Sequence, residues 1–335
     1  MKVAVIGAGA IGGFIAARLN AAGLTVPLVT RRRTLDTLRR EGLTVEGPSA
    51  GPITVSPPVT DDTLSLGPQD AVILAVPAFA LPEVLELLLP LLGRNTRLVP
   101  VVGGVPWWYP AGGPGKAGPL ASVDPRGLLW NAIPADRIVG TVPRIAVERR
   151  TPNYLRHLGG LRLALGPAVG RARDGCGDLA ALFGAAGFNA PVADNIRAEV
   201  WGALLAPLAF GTLGLVTGLP AQDIVRHPDL RPVLTAVAEE LSGLAARLDA
   251  PVTVDPDDGW TLAQQPGRIR PDLTAGGRTE IEAVLDAPLE LAERAGVALP
   301  TVGTLRALVR QKRQQAQQQH AQRQQAFLKR DRDHV

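Results

Sequence analysis

KVAVIGAGAIGGFIAARL, residues 2–19, decides how the rest of the chain folds. Residues 2–6 are a short apolar run ending at Gly7, and the pattern from Ala10 to about Ala22 is helical, closed by Gly23. Between strand and helix stands Gly7-Ala8-Gly9-Ala10-Ile11-Gly12, the spacing GxGxxG. Each glycine has a task in that setting. Gly7 allows the tight turn, Gly9 lets backbone approach a pyrophosphate, and Gly12 lets the helix pack close to the strand. The first N–H groups of the helix have no partner within it and can meet phosphate oxygens. Gly7, Gly9, Ala10, Ile11 and Gly12 are therefore expected to bind a dinucleotide.

Outward from this turn, LTVPLV (24–29), AVILAV (71–76) and TRLVPVV (96–102) read as further apolar strands, with a helix-like stretch at 81–92. Continuously apolar strands belong to a parallel sheet covered on both faces, and their alternation with helices gives a doubly wound α/β domain. PAGGPGKAGP (110–119) is loop, and IVGTV (138–142) and LRLALG (161–166) read as later strands, with antiparallel pairing the one expected departure from the parallel sheet. From Asp178 onward the patterns are helical. The expected organisation is a doubly wound dinucleotide-binding domain over 1–167, a helical domain over 168–311, and a Gln-rich basic tail over 312–335. Composition leaves that tail open between a helix extension, a disordered segment and a packing arm.

The end of the second strand selects the cofactor. An NAD-binding chain carries Asp or Glu there for the ribose hydroxyls; this chain has Thr30-Arg31-Arg32-Arg33. A planar cation suits a 2′-phosphate, which a carboxylate would repel. Arg31 and NADPH are the expected pair, while Arg32 and Arg33 read equally well as solvated charges opening the next helix.

At 335 residues the chain is too long for one ordinary core, and 46% hydrophobic residues can fill two. The net charge of +4 lies in the tail, where residues 312–335 carry six basic against two acidic groups and the remaining residues balance at 29 each. A nucleic-acid-binding body is not expected. Only Lys2, Lys116, Lys312 and Lys329 are lysines. Arginine holds its proton near neutral pH, so the chain has almost no tunable amine for acid–base work. Cys176 is the only cysteine, which excludes an intrachain disulfide or a cysteine zinc site and fits a reducing cytoplasm. No metal site and no signal peptide are expected. Val200–Pro220 runs 21 residues without a charge, but Pro207 and four glycines interrupt it. A buried helix is expected there, not a membrane span.

GAGAIGGFIAARL with the Arg after the second strand, VPWWYP, SVDPRG, AIPADRIVGTV and GRTEIE together resemble the ketopantoate (2-dehydropantoate) reductase family, from Met1 to about Leu308. The resemblance implies an N-terminal Rossmann domain, an all-helical C-terminal domain, and a cleft between them where NADPH reduces a 2-keto acid. It also implies cofactor contacts at Val76 and Gly104, a small-molecule substrate, and a chain that pairs or stays single, a homodimer being one expected state.

The departures fall where the family does its chemistry. The lysine usual after the strand that here ends at Val76 is Pro77, and Gly103 replaces an asparagine before Gly104. The catalytic helix resembles W-x-K-L-x-x-N-x-x-x-N, yet reads Trp201-Gly202-Ala203-Leu204 with Pro207 and Gly211 at the asparagine positions. The family's proton-donating lysine is thus Ala203. Arg268 stands where the family has a substrate serine, and only Asp272 and Glu280 match, Glu280 being the family's active-site carboxylate. Arg268 and Asp272 are the expected substrate-binding residues, and Glu280 the expected catalytic one. Glu280 also reads as a helix cap, and Arg268 as part of a solvated charge run with Arg270.

A hydride delivered to a ketone leaves an alkoxide unless a proton arrives with it. Three readings follow. The first is a reductase of a less polar keto acid, or of a protonated imine that needs no donor. The second is a non-redox cyclase or isomerase of a specialised-metabolite pathway, and the third a catalytically silent NADPH-binding protein. For a ketone, His157, Tyr109 or a water held by Glu280 are the remaining donors, although His157 also reads as an ordinary strand-end histidine and Tyr109 as packing.

Overall fold

The computed structural model of the chain describes residues 1–48, 51–115, 117–170, 175–255 and 280–332, without the side chains of residues 32, 33, 320 and 323–332. It divides into two compact units, one of Met1–Val200 with Leu248–Ala250, the other of Trp201–Arg247 with Pro251–Val335.

The first unit holds two sheets. β1 (Val3–Ile6), β2 (Leu28–Val29), β5 (Val59–Thr60), β6 (Gln69–Leu74) and β7 (Leu92–Pro100) form a parallel sheet in the order β5-β2-β1-β6-β7. The chain leaves β1 toward β2 on one side and later returns to pair β6 on the other, so the strand order reverses at β1. In open α/β sheets ligands bind beyond the carboxyl ends of the strands at such a reversal. The second sheet, ordered β4-β3-β9-β8, is built from β3 (Leu43–Glu46), β4 (Ile53–Val55), β8 (Val139–Thr151) and β9 (Tyr154–Pro167). β8 and β9 are a long antiparallel hairpin, and β3 joins β9 in parallel.

Helix α1 (Ala10–Ala21) packs on β1 and also touches β3, β4, β8 and β9, so both sheets cover it. That explains its composition: Ile11, Phe14, Ile15, Ala16, Ala17 and Leu19 are all buried, and a helix apolar all round is a helix enclosed. α2 (Arg32–Glu41) follows β2, and α5 (Cys176–Ala185) packs on β9, where Phe14, Phe183 and Phe188 meet edge to face. Burial raises the Cys176 thiol above its ordinary range, with Arg97 opposing, so it stays a packed, protonated side chain.

Two segments depart from the sequence reading. The helix-like stretch 81–92 is one turn of α3 (Leu85–Leu88) between two 3₁₀ segments, Ala78–Val84 and Leu89–Leu91. Pro82 and Pro90 remove amide donors and clash one turn back, so a regular helix cannot run through. LTVPLV yields only the two residues of β2, since Pro27 has no N–H for the ladder. After the short α4 (Leu128–Ala132), the first unit ends in α6 (Ile196–Leu205). The Asn195 side-chain oxygen accepts from the amides of Arg197 and Ala198 and so caps that helix.

Arg162 on β9 grips Glu199 of α6 through both carboxylate oxygens, at 2.8 and 2.6 Å. This hydrogen-bonded partner, with help from Arg144, holds the Glu199 carboxyl below the usual carboxylate range despite its partial burial. The pair therefore stabilises the fold above about pH 4.3, the unfolded value, and the contribution is lost as pH falls through the lower folded value. Glu199→Gln is expected to cost about 1–2 kcal/mol at pH 7 and to flatten the acid limb of stability against pH, measured by urea melts from pH 7 down to pH 3. An unchanged acid limb would assign the pair no such role.

In the second unit, α7 (Gly211–Thr217), α8 (Ala221–Arg226), α9 (Arg231–Arg247), α10 (Ala287–Ala295) and α11 (Pro300–Arg332) are the helices. α11 packs on α7 and α9, and the Glu240 carboxylate of α9 accepts the amides of Thr301 and Val302. Arg306 and Arg310 pair with Asp286, and Arg313 with Glu282. The helix continues to Arg332, so the Gln-rich tail extends α11, with residues 314–319 largely exposed.

Residues Ile196–Thr217 form one continuous helix, a π turn at Ala206–Phe210 joining α6 to α7. Pro207 has no amide for the Ala203 carbonyl and would clash with it in a regular helix; the wider turn relieves this. The helix is long and apolar enough to cross a bilayer, but 61% of its most apolar window is buried, as in a core helix.

Candidate functional site

At the carboxyl ends of β1 and β6 the backbone forms a cradle. Gly7 has φ +109°, and a Cβ there would fall on the Ala75 carbonyl oxygen and within 2.9 Å of Val76 Cγ1. A Cβ on Gly12 would strike the Gly7 carbonyl oxygen and Ala75. Around Gly9, by contrast, nothing lies within 4 Å of a Cβ position. Gly9 is the N-cap of α1 with no side chain satisfying its amides and no acid in the first turn. The amides at positions 10–12 are thus open to an anion with the helix dipole behind them. A dinucleotide pyrophosphate fits this cradle.

The structure gathers most of the expected contacts here. Val76 stands beside Gly7, while Gly104, with φ +71°, lies in the loop after β7, whose end is tied to β6 by Val101 N–H donating to the Leu74 carbonyl at 2.9 Å. Arg31 follows β2 and donates through Nη2 to the Glu83 carbonyl at 2.8 Å. One donor of its fork is anchored there, and the exposed guanidinium keeps others. Arg149, which the sequence reading missed, donates from β8 to the Ala8 carbonyl at 3.2 Å. A strand arginine 141 residues away carries no local signal of that contact.

The two side chains among the alternative proton donors, His157 and Tyr109, are occupied by packing. His157 stacks on Phe14 at 4.6 Å with Nε2 2.8 Å from the Gly160 carbonyl oxygen. Tyr109 is fully buried, and the Arg197 guanidinium lies 4.3 Å from its ring centroid. Arg197 also donates to the carbonyls of Tyr109 and Ala111, fixing the VPWWYP loop to the start of α6.

In the second unit the helix that resembles the family's catalytic one is buried along most of its surface. Gly202, Ala203, Pro207, Gly211 and Gly214 form its partly exposed stripe. None carries a titratable or hydrogen-bonding side chain. Its hydroxyls are used internally, Thr212 donating to the Leu208 carbonyl and Thr217 to the Leu213 carbonyl. Glu280 is partly exposed just before the π turn Glu282–Asp286, and its carbonyl accepts the Val284 amide, a helix-starting position. Arg268 and Asp272 lie outside the described residues. Among the described residues no group of three His, Cys, Asp or Glu side chains could hold a metal ion.

Comparisons with known proteins agree with this architecture. The family model described as ketopantoate reductase PanE/ApbA matches residues 3–170, and its C-terminal counterpart matches residues 195–313. A 2-dehydropantoate 2-reductase of Mesorhizobium japonicum is 34% identical over 320 residues, 92% of this chain and 97% of the relative. The crystal structure of 2-dehydropantoate 2-reductase from Geobacter metallireducens GS-15 superposes with a TM-score of 0.80 at 25% identity, covering 93% of this chain and 99% of that one. D-mandelate dehydrogenase, solved with NADH and anilino(oxo)acetate, shares the fold with a TM-score of 0.77 at 18% identity, over 94% and 99% of the two chains. With the glycine cradle, the doubly wound sheet and the helical second unit in place, the chain belongs to the ketopantoate reductase family of nicotinamide-dependent oxidoreductases.

Proposed function

We propose that this chain is an NADPH-dependent reductase of a small molecule less polar than ketopantoate, a keto acid or an imine. The observation that carries the reading is the partly exposed stripe Gly202, Ala203, Pro207, Gly211 and Gly214, which offers no donor where the family's lysine and asparagines stand. When bound, the nicotinamide cofactor supplies the hydride. The cradle at Gly7, Gly9 and Gly12 would hold its pyrophosphate, and Arg31 its 2′-phosphate. The apolar stripe favours the hydrocarbon part of a substrate and keeps water from it. A protonated imine suits such a wall, because accepting hydride yields a neutral amine and calls for no proton from the protein. Glu280 would stabilise the cation electrostatically, and Arg268 would pair with a substrate carboxylate. Cys176, buried and unpaired with another thiol, is compatible with a cytoplasmic setting.

The test is NADPH oxidation against ketopantoate, bulkier 2-keto acids and cyclic imines. Turnover of a bulkier or imine substrate above ketopantoate supports the proposal; tight NADPH binding with no turnover of any of them overturns it in favour of a non-redox or silent role. Arg31→Gln is expected to weaken NADPH about 10- to 100-fold, the loss of one charge-assisted phosphate contact, and to leave NADH within twofold. Equal losses for both cofactors in fluorescence titrations would refute a 2′-phosphate contact.

A further inference from the structure

We propose that Arg149 positions the dinucleotide-binding turn, making the second sheet part of the cofactor site. The inference rests on a nicotinamide dinucleotide occupying the glycine cradle. Arg149 lies near the end of β8, and its neighbours are already committed: Glu148 pairs with Arg150 at 2.9 Å, while Arg149 reaches past them to the Ala8 carbonyl. Ala8 is the residue between Gly7 and Gly9, the first two glycines of the turn. Among the described residues no carboxylate pairs with Arg149, and its Nη1 donates to the Ala8 carbonyl at 3.2 Å.

The peptide plane turns that contact into a device. In a trans peptide the Ala8 carbonyl and the Gly9 N–H point in opposite directions. A guanidinium on the carbonyl therefore fixes the Gly9 amide facing away from it, at a residue whose Cβ position has nothing within 4 Å. It also polarises the peptide, since hydrogen bonds in series strengthen one another. Both effects favour an anion on the far side of the plane. Without the tether, the Ala8–Gly9 peptide can rotate, Gly9 having no side chain to restrain it. The guanidinium also adds positive potential beside a helix N-terminus that carries no acid in its first turn.

Arg149 is thus a positioning residue acting at the level of the pyrophosphate, common to NADPH and NADH, and distinct from Arg31. The experiment is a fluorescence titration of the full chain with each cofactor, for wild type, Arg149→Met and Arg149→Lys, with the unfolding temperature of each cofactor-free protein. Arg149→Met is expected to weaken NADPH and NADH by the same factor, about five- to twentyfold for one partly exposed charged hydrogen bond, and to leave the cofactor-free Tm unchanged. Arg149→Lys, which keeps a charged donor, is expected to recover part of the loss. Affinities within twofold of wild type overturn the proposal, as does a loss confined to NADPH. A lowered cofactor-free Tm at unchanged affinity also overturns it, by making Arg149 a structural brace. If the wild type binds neither cofactor, the proposed function fails and this inference with it; failure of the Arg149 variants alone leaves that function standing.

Discussion

Gly12→Val is expected to weaken NADPH binding severely and to destabilise the fold. A Cβ at residue 12 lands on the Gly7 carbonyl oxygen and 2.9 Å from Ala75 Cβ, and valine adds two more carbons. Neither neighbour can yield, because Gly7 holds the turn at φ +109° and Ala75 closes the end of β6, its amide donating to the Ile6 carbonyl at 2.9 Å. Helix α1 must move off the sheet, at a cost of about 1–3 kcal/mol for overpacking. Its amides then leave the phosphate, and two charge-assisted hydrogen bonds lost together weaken affinity by about a hundredfold or more. Gly9→Ala separates the two effects. Its backbone, φ −75° and ψ −171°, suits alanine, and nothing lies near the added carbon. Gly9→Ala is expected to keep the wild-type Tm while weakening NADPH, since the methyl occupies the anion's approach. Wild-type affinity in both variants, measured by tryptophan quenching, would mean the cofactor does not use this turn.

The second large effect concerns proton delivery. A positioned general acid contributes about 10²–10⁴-fold to rate, so ketopantoate reduction is expected to lag a lysine-bearing family member by that order. Ala203→Lys alone is not expected to restore it. Position 203 lies on the partly exposed stripe, so a lysine can be accommodated. But the next positions along that stripe are Pro207 and Gly211, which offer no hydrogen bond to orient the substrate, and the π turn at Ala206–Phe210 alters the helix just beyond. An amine without an oriented substrate loses the proximity on which acid catalysis depends. Steady-state kinetics of the variant with ketopantoate check this: a gain approaching the full factor would show that the rest of the stripe is compatible with the family substrate.

The first strand, its turn and α1 were legible because every determinant is local. An apolar run, three glycines at fixed spacing and a helical pattern lie within 20 residues, and the structure places them as read. The same holds for β6 and the apolar end of β7, whereas β8 and β9 were read only in part: 138–142 and 161–166 mark the apolar stretches of strands 13 and 14 residues long, whose remaining residues, rich in Arg and Gly, carried no strand pattern. β3, β4 and β5 were not legible: each has two to four residues, and β3 finds its partner β9 more than 100 residues on, with Thr44 opposite Tyr154. At 81–92 apolar periodicity suggested a helix and the two prolines overrode it. For the site, the cofactor residues followed from motif chemistry, and the emptied helix from resemblance. Arg149 followed from neither, because an exposed strand arginine looks the same whether it meets solvent or a carbonyl across the domain. Tyr109 became interpretable only once Arg197 was seen on its ring, and His157 once its nitrogen was seen on Gly160.

The central claim is that the dinucleotide cradle is whole while the helix that resembles the family's catalytic one carries no proton donor on its partly exposed stripe. One experiment joins both halves: titrate NADPH into the full chain, then mix the complex with saturating ketopantoate and follow nicotinamide oxidation in a single turnover, beside a lysine-bearing family member. The account predicts comparable NADPH affinity in the two proteins and hydride transfer slower here by about 10²–10⁴-fold. Equal single-turnover rates would contradict it.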